Sequence, residues 1–345
     1  MKQKHEPSFL YDVWSNAKAR KYLKNLKKQG YTISPEQKSQ SDAYAKEVLG
    51  SKKYAPWLYV FAAIQGDFKP GWFPHNYYRR YIATRKKGLY GDVSALGGLS
   101  PLLFETDAFP NVGYYINGAF FNRERQILDH KAVANRLFSD CDEIVFKTDG
   151  SKQGNGIQFY SRKAFDPSNF TRKTNGVFQK KLRHHKDFDC FGSAATATIR
   201  VVTAVDANGT CTARVLQLRL GRRNDTHIRS KSQIKIHGDL VTGLLDETGF
   251  QNDFTLLNHH PDCGFRFGGF KIPKHKVAID LVVKLHQSVP FAQTIGWDLV
   301  VDSESNLQIL EWNGGHSGIH FYEAAKGPLF RDMHWEDEWK KLDLM

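Results

Sequence analysis

The stretch that most constrains this chain is Ile295–Gly315, IGWDLVVDSESNLQILEWNGG. Its apolar runs Trp297–Val301 and Leu307–Trp312 predict neighbouring β-strands, and the polar stretch Asp302–Asn306 between them suits a hairpin turn. Side chains two apart in a strand leave on one face, so Glu311 and Asn313 point the same way. A hairpin returns the end of its second strand to the start of its first. Asp298 therefore comes to lie beside Glu311 and Asn313, gathering three oxygen-bearing side chains on one patch. Such a patch suits a hard cation, and Mg²⁺ holding a nucleotide phosphate is a common use. Asp298 opposes the apolar face of Ile295, Trp297 and Leu299, and Ile309 is expected to flank Glu311 on its own face. A carboxylate among apolar neighbours is costly unless it is paired or metal-bound. Solvated strand-end polar residues give the same letters, so the patch names a metal and no reaction.

At 345 residues the chain is long enough to bury a large core and to hold two or three subdomains. No apolar run approaches the roughly 20 residues that cross a bilayer, so no membrane span is expected. The opening stretch, MKQKHEPSFLYDVW, lacks an apolar signal core. Cys141, Cys190, Cys211 and Cys263 are scattered without CxxC spacing, which fits reduced thiols and a cytoplasmic location. The net charge of +13, from 49 Lys and Arg against 36 Asp and Glu, favours polyanionic partners: nucleotides, nucleic acid, acidic glycans or a membrane surface. Part of the excess is the run Lys18–Lys28 (KARKYLKNLKK), dense in basic residues and free of acids. A solvated helix face accounts for that run equally well. No zinc-finger spacing or RNA-binding aromatic signature accompanies it, which argues against nucleic acid.

Taken in order, residues 8–28 predict a helix, with Phe9, Val13, Trp14 and Ala17 on one stripe that Tyr22 and Leu26 continue. Gly30 is its stop. A second helix runs from about Glu36, after Ser34-Pro35, to Leu49, where Gly50 ends it, and a third covers Trp57–Ile64. The aromatic and basic segment Asp67–Tyr90 reads as a packed cap, with a glycan or partner surface as the alternative. Residues 91–121 read as loops and short strands, and Leu128–Phe138 as a helix with Lys131 in its first turn. From Glu143 onward strands dominate. The expected division is a mainly helical, aromatic-rich region over residues 1–125, for substrate or docking, and a second domain over residues 126–345. The fold class is α+β.

Residues 144–159, IVFKTDGSKQGNGIQF, place Lys147 at the end of an apolar strand, then Gly150, Ser151, Gly154 and Gly156, then a second strand. Glycines let backbone N–H groups close on phosphate oxygens, and Lys147 adds a point charge. No GKS or GKT follows, and strand–loop–strand replaces strand–loop–helix, which excludes a Walker loop and a dinucleotide fingerprint. A glycine-rich flap over a nucleotide and an ordinary hairpin both remain. Thr196–Ala204 (TATIRVVTA) carries Arg200 in mid-strand, where it needs an anion or a carboxylate partner. Leu216–Arg223 (LQLRLGRR) is a second basic strand, and Gly176–Lys180 (GVFQK) is a short strand fit to run into an adenine-reading hinge. His259, His260, Asp262 and Cys263 are too crowded for one tetrahedral zinc. His316 and His320 lie four apart beyond the hairpin and read as substrate contacts rather than metal ligands. No GxSxG elbow is present.

These parts in this order resemble the ATP-grasp superfamily, and within it the sugar-transfer-associated ATP-grasp family: a lysine and glycine-rich flap, a hinge, TIRVVT at 198–203, GWD at 296–298 and LEWN at 310–313. The resemblance spans roughly residues 128–325 and implies an ATP-grasp fold, two α+β subdomains gripping ATP. It implies that Lys147 contacts the α/β-phosphates, that Gly150, Ser151, Gly154 and Gly156 fold over them, and that Gln179, Lys180 and Lys181 line the adenine. By the same resemblance Arg200 holds the γ-phosphate or an acyl phosphate, and Asp298, Glu311 and Asn313 hold two Mg²⁺. Lys131 matches an earlier phosphate-binding lysine, though it stands closer to Lys147 than the family pattern has it.

The expectation is an ATP- and Mg²⁺-dependent, ADP-forming carboxylate–amine ligase acting on a sugar-linked or amino-acid carboxylate, with an amine as co-substrate, in polysaccharide or related biosynthesis. A kinase of a hydroxyl acceptor on the same fold and a non-catalytic nucleotide- or glycan-binding module are the alternatives. A homodimer is left open.

Overall fold

The computed structural model describes residues 7–151, 155–229, 231–315 and 318–344. Three helices open the chain: α1 Phe9–Lys28, α2 Pro35–Glu47 and α3 Ala55–Gln65. The start of α2 is set locally. Ser34 Oγ accepts from the Gln37 N–H at 3.1 Å, and the Gln37 side chain accepts from the Ser34 N–H at 2.8 Å, a reciprocal cap with Pro35 at the first helical position. Gly50 follows the helix at φ +78°, and a Cβ there would lie 2.6 Å from the Trp339 ring, so the stop needs glycine.

The first half of helix α1 turns the face opposite to the one its apolar stripe predicts, while Tyr22 and Leu26 are buried as the stripe has them. Asp12, Ser15, Asn16, Ala19, Tyr22 and Leu26 are buried, whereas Phe9 is 76% and Trp14 54% exposed. Hydrogen bonding decides this. Asp12 pairs with Arg80 at 2.6 Å and Lys53 at 3.3 Å, Asn16 donates to the Lys53 carbonyl at 2.9 Å, and Ser15 accepts from Trp57 Nε1 at 2.9 Å. Rotating the helix to bury Phe9 and Trp14 would strand those groups. The segment 67–90 is a packed cap. Trp72, Phe73, Tyr77 and Tyr78 are fully buried, and Tyr77 donates to the Trp335 carbonyl at 2.7 Å, fastening the cap to the C-terminal segment.

A five-stranded sheet follows, made of β1 Asn111–Ile116, β2 Ala119–Asn122, β3 Glu143–Thr148, β4 Ile157–Ser161 and β5 Gly176–Lys180 in the order β2-β1-β5-β3-β4. Every pairing is antiparallel. Because Tyr114 pairs with Val177, this sheet crosses the division at residue 125. The helix expected over 128–138 forms only at Val133–Leu137, since Asp129 Oδ1 accepts from the Lys131 N–H at 2.8 Å and holds a turn there.

The second sheet has seven antiparallel strands: β6 Thr198–Val205, β7 Cys211–Leu220, β8 Ile234–Gly238, β9 Leu245–Phe250, β10 Leu256–Leu257, β11 Thr294–Val301 and β12 Leu307–Asn313, in the order β10-β9-β8-β7-β6-β11-β12. Helix α4, His275–His286, covers one face, where Ala278 and Val282 share a core with Ile199, Val201, Trp297 and Leu299. On the other face Val202, Ala204 and Val215 share a core with α1, α3 and helix α5, His320–Lys326. Alternation along β6 puts Arg200 and Thr198 on that second face, beyond the covered part. The N-terminal helices thus cover one half of a sheet face and leave the other half open. Among the described residues no helix is long and apolar enough to cross a membrane.

Phe254 joins the two halves. Its ring stacks on Phe321 at 4.4 Å and meets Tyr22 of α1 at 4.8 Å. Phe254→Ala is expected to lower stability by about 3–5 kcal/mol in urea unfolding. Because the core is shared, helix and sheet signals should be lost in one transition. Two separated transitions would show that the N-terminal helices form their own unit.

Candidate active site

The hairpin forms as its alternation predicts, with Asp298 opposite Glu311. The register then runs inward, so Glu311, Asp298, Arg200, Gln217 and His237 form one row across β12, β11, β6, β7 and β8. A parallel row holds Thr198, Arg219 and Lys235.

Arg200 grips Asp298 with two bonds, Nε to Oδ1 at 2.6 Å and Nη2 to Oδ2 at 2.5 Å, and Arg219 Nη1 approaches Oδ1 at 3.3 Å. The strand-centre arginine therefore has its anion, and that anion is Asp298 of the patch expected to hold a cation. Burial works against ionising Asp298, but the charges of Arg200 and Arg219 and the hydrogen bonds from Arg200 outweigh it and hold the carboxyl well below its usual range. Glu311 moves the other way. Enclosure between the cleft walls, then the Asp298 charge, raises its pKa, although solvent in the cleft still reaches the carboxylate. Asn313 Nδ2 bridges the pair, 3.3 Å from Glu311 Oε1 and 3.4 Å from Asp298 Oδ2.

The hairpin departs from simple alternation at one place. Leu299 pairs with Ile309, so Leu310 is an extra residue, a β-bulge. Two consequences follow. Ile309 turns into the core with Trp297 and Leu299 while Glu311 faces the cleft, so the two are on opposite faces and not on one. The Leu310 carbonyl, freed from its ladder, accepts from Lys147 Nζ at 3.1 Å and from Gln179 Nε2 at 3.2 Å. That carbonyl ties the small sheet to the β11–β12 hairpin. Burial lowers the pKa of Lys147, and the carboxylates of Glu311 and Asp298 oppose the shift.

Lys147, Gly150, Ser151, Gln179, Lys180, Lys181, Arg200, Asp298, Glu311 and Asn313 all line one cleft of about 1480 Å³. Gly156 sits at the foot of the flap, its carbonyl accepting from the Thr148 N–H at 3.0 Å. Gly154 and His316 lie outside the described residues. Lys131 is exposed on the turn before Val133 and is not part of the cleft lining. With the helix starting late, this lysine is not carried on it. Gln179 Nε2 donates to Asn111 Oδ1 at 2.9 Å and to the Leu310 carbonyl at 3.2 Å, its Oε1 is buried without a hydrogen-bond partner, and Lys181 pairs with Glu143 at 2.9 Å. His260 is buried and donates to the Gly221 carbonyl at 3.0 Å, while Asp262 pairs with Arg222. Among the described residues no three His, Cys, Asp or Glu side chains form a metal cluster.

The structure adds cleft residues that the motifs do not mark: Arg219, Gln217, Lys235 and Tyr322 from the large sheet and α5, and Tyr11, Trp14, Lys18, His75 and Arg79 from the N-terminal region. Gln217 Nε2 donates to His237 Nε2 at 2.9 Å, and burial pushes the His237 pKa down to about 3, so the acceptor nitrogen stays neutral. The alternation in Gln233-Ile234-Lys235-Ile236-His237, polar on one face and apolar on the other, is the sequence feature that marks Lys235.

The chain matches the sugar-transfer associated ATP-grasp family over residues 117–333, more than half its length, and belongs to that family. Among solved structures it is similar to biotin carboxylase from Campylobacter jejuni, at 11% identity and TM-score 0.47, covering 92% of this chain and 68% of that one. It is also similar to the biotin carboxylase domain of Hydrogenobacter thermophilus 2-oxoglutarate carboxylase, at 12% identity and TM-score 0.43, over 71% of this chain and 46% of that chain. The ATP-grasp ligase PsnB, complexed with a minimal precursor, gives 13% identity and TM-score 0.43, over 73% and 63% of the two chains. These likenesses are loose, and the family assignment rests on the residue match. Comparison with curated proteins finds no match.

Two substitutions separate the roles of the paired acids. Arg200→Met leaves Asp298 buried with only Arg219 beside it, and should cost about 3–5 kcal/mol in chemical denaturation. Glu311→Gln removes one of two adjacent carboxylates, and metal-free stability should stay within about 1 kcal/mol of wild type or rise.

Proposed function

We propose that the protein is an ADP-forming carboxylate–amine ligase that uses ATP and Mg²⁺. The observation that carries this reading is the convergence at Leu310: its carbonyl holds Lys147 of the small sheet beside Asp298, Glu311 and Asn313 of the large one. Mg²⁺ prefers one or two carboxylates completed by phosphate oxygens. Asp298 and Glu311 supply carboxylates of that kind, two carboxylates side by side call for a cation between them, and the Asn313 amide, whose Nδ2 faces them here, would turn its oxygen to the metal. These three residues would hold the metal, and bound there it would neutralise phosphoryl oxygens as a Lewis acid.

The remaining roles belong to the chain. Lys147 supplies a charge to the α/β-phosphates, and the backbone at Gly150, Ser151 and Gly156 offers N–H groups to them. Lys180, Lys181 and Leu182 present backbone toward an adenine. Arg200 fixes Asp298 and keeps its other N–H donors for a phosphoryl oxygen, with Arg219 beside it. An acceptor carboxylate oxygen attacks the γ-phosphorus and ADP leaves. An amine then attacks the acyl carbon and phosphate leaves. The family description supports an acceptor connected with sugar transfer.

At 100 times its dissociation constant MgATP should stabilise wild type by about 2.7 kcal/mol, seen as a raised melting temperature, and EDTA or Glu311→Gln should abolish the shift. With hydroxylamine as the amine, a hydroxamate should accumulate when the right carboxylate is supplied. ADP release without hydroxamate, on adding a hydroxyl acceptor, would make the protein a kinase instead.

A further inference from the structure

Beyond Asn313 the cleft runs toward the N-terminal cap, and its walls change character. Helix α1 contributes Trp14 and Lys18, the cap contributes Arg79, and β8 contributes Lys235. Lys235 stands between Ile234 and Ile236, which enter the core beneath, and is itself only 6% exposed. Its Nζ donates to Asn252 Oδ1 at 3.1 Å and lies 3.7 Å from the ring centre of Phe321. An ammonium has three N–H donors, so one bond and one ring face leave capacity turned to the cleft.

Among the described residues Lys18, Arg79 and Lys235 form no ion pair. The acids near them are already engaged: Asp298 by Arg200 and Arg219, and Asp12 by Arg80 and Lys53. The charges act on common neighbours, Lys18 and Arg219 on Lys235, and Lys18 and Arg79 on His75. Burial, then the charges of Arg219, Lys18 and Arg200, lowers the Lys235 pKa well below its ordinary value, and an anion arriving beside Asn252 and Phe321 would favour its charged form. Trp14, half exposed with Lys18 Nζ 5.3 Å from its ring centre, adds an apolar wall beside the charges.

We propose that this end of the cleft binds a second, non-reacting anionic group of the acceptor, a carboxylate or a phosphate, with Lys235, Lys18 and Arg79 as its ligands. The inference rests on the ligase reading, which places the reacting carboxylate beside Glu311. The acceptor class is then a doubly anionic, sugar-sized acid. Lys18 and Arg79 lie outside the residues matched to the family, so the N-terminal region sets this part of the specificity.

The test is calorimetric titration of full-length protein saturated with MgADP, using glucuronate, galactarate and glucuronate 1-phosphate as probes. At least one of the two doubly anionic probes should bind ten times more tightly than glucuronate. A gain confined to galactarate marks a carboxylate site, and one confined to the phosphate ester marks a phosphate site. Lys235→Met and Arg79→Gln should each erase that gain, and Arg79, partly exposed, keeps the test open if the Lys235 variant does not fold. Equal affinity for all three probes, a gain that survives both substitutions, or no binding of any probe overturns the proposal. MgADP binding in the same samples reports folding of the variants. If wild type binds no MgADP, the ligase reading fails, and the probes titrated alone still decide whether the anion site exists.

Discussion

Asp298 and Glu311 face each other across β11 and β12, and like charges so placed in a partly desolvated cleft resist ionising together. Much of the cleft is arranged around that conflict. Arg200 and Arg219 answer Asp298 from one side and hold it ionised, while Lys147 approaches Glu311 from the other sheet. Asn313 adds a neutral donor between the two. The charges of Lys147 and Arg200 act on Glu311, but among the described residues it forms no ion pair, and that is the electrostatic reason for reading the patch as a cation site. Arg200 belongs to this account first as a positioning group: its two bonds fix the carboxylate rotamer, so a metal would meet a preformed ligand.

The bulge at Leu310 links this electrostatic arrangement to the architecture. One extra residue in β12 turns Glu311 to the cleft, buries Ile309, and releases a carbonyl that catches Lys147 and Gln179. The two sheets are thereby registered against each other at the same place where the charges meet. The N-terminal helices take part in the same geometry, because the sheet face that carries Arg200 also carries Val202 and Ala204, on which those helices pack. Their polar contacts set the rotation of α1, and that rotation places Trp14 and Lys18 in the cleft wall.

The hairpin of β11 and β12, the pairing of β3 with β4, and the start and stop of α2 were legible because each is encoded within a few neighbouring positions: alternation, a polar turn, Ser34 with Gln37, Gly50. Features decided by distant partners were not. Leu310 reads as an ordinary apolar strand residue, and nothing nearby marks it as a bulge. The pairing of Arg200 with Asp298 joins strands far apart in the chain. The stripe of Phe9, Val13 and Trp14 points to the wrong face because Asp12, Ser15 and Asn16 find partners in the cap that local periodicity does not contain. Lys131 was placed by spacing on a helix whose start is delayed by the Asp129 turn. Lys235 was readable in principle, as the charged member of an alternating strand, but its neighbours Asn252, Phe321 and Lys18 come from three other parts of the fold.

The central claim is that Glu311, with Asp298 and Asn313, holds a divalent cation together with a nucleotide phosphate. Electron paramagnetic resonance of Mn²⁺, used in place of Mg²⁺ and titrated with ADP into wild type and Glu311→Gln, tests it most directly. The account predicts that ADP immobilises Mn²⁺ on wild type and that the variant leaves the free-ion signal nearly intact. Equal immobilisation on both proteins, or none on wild type at saturating ADP, would contradict it.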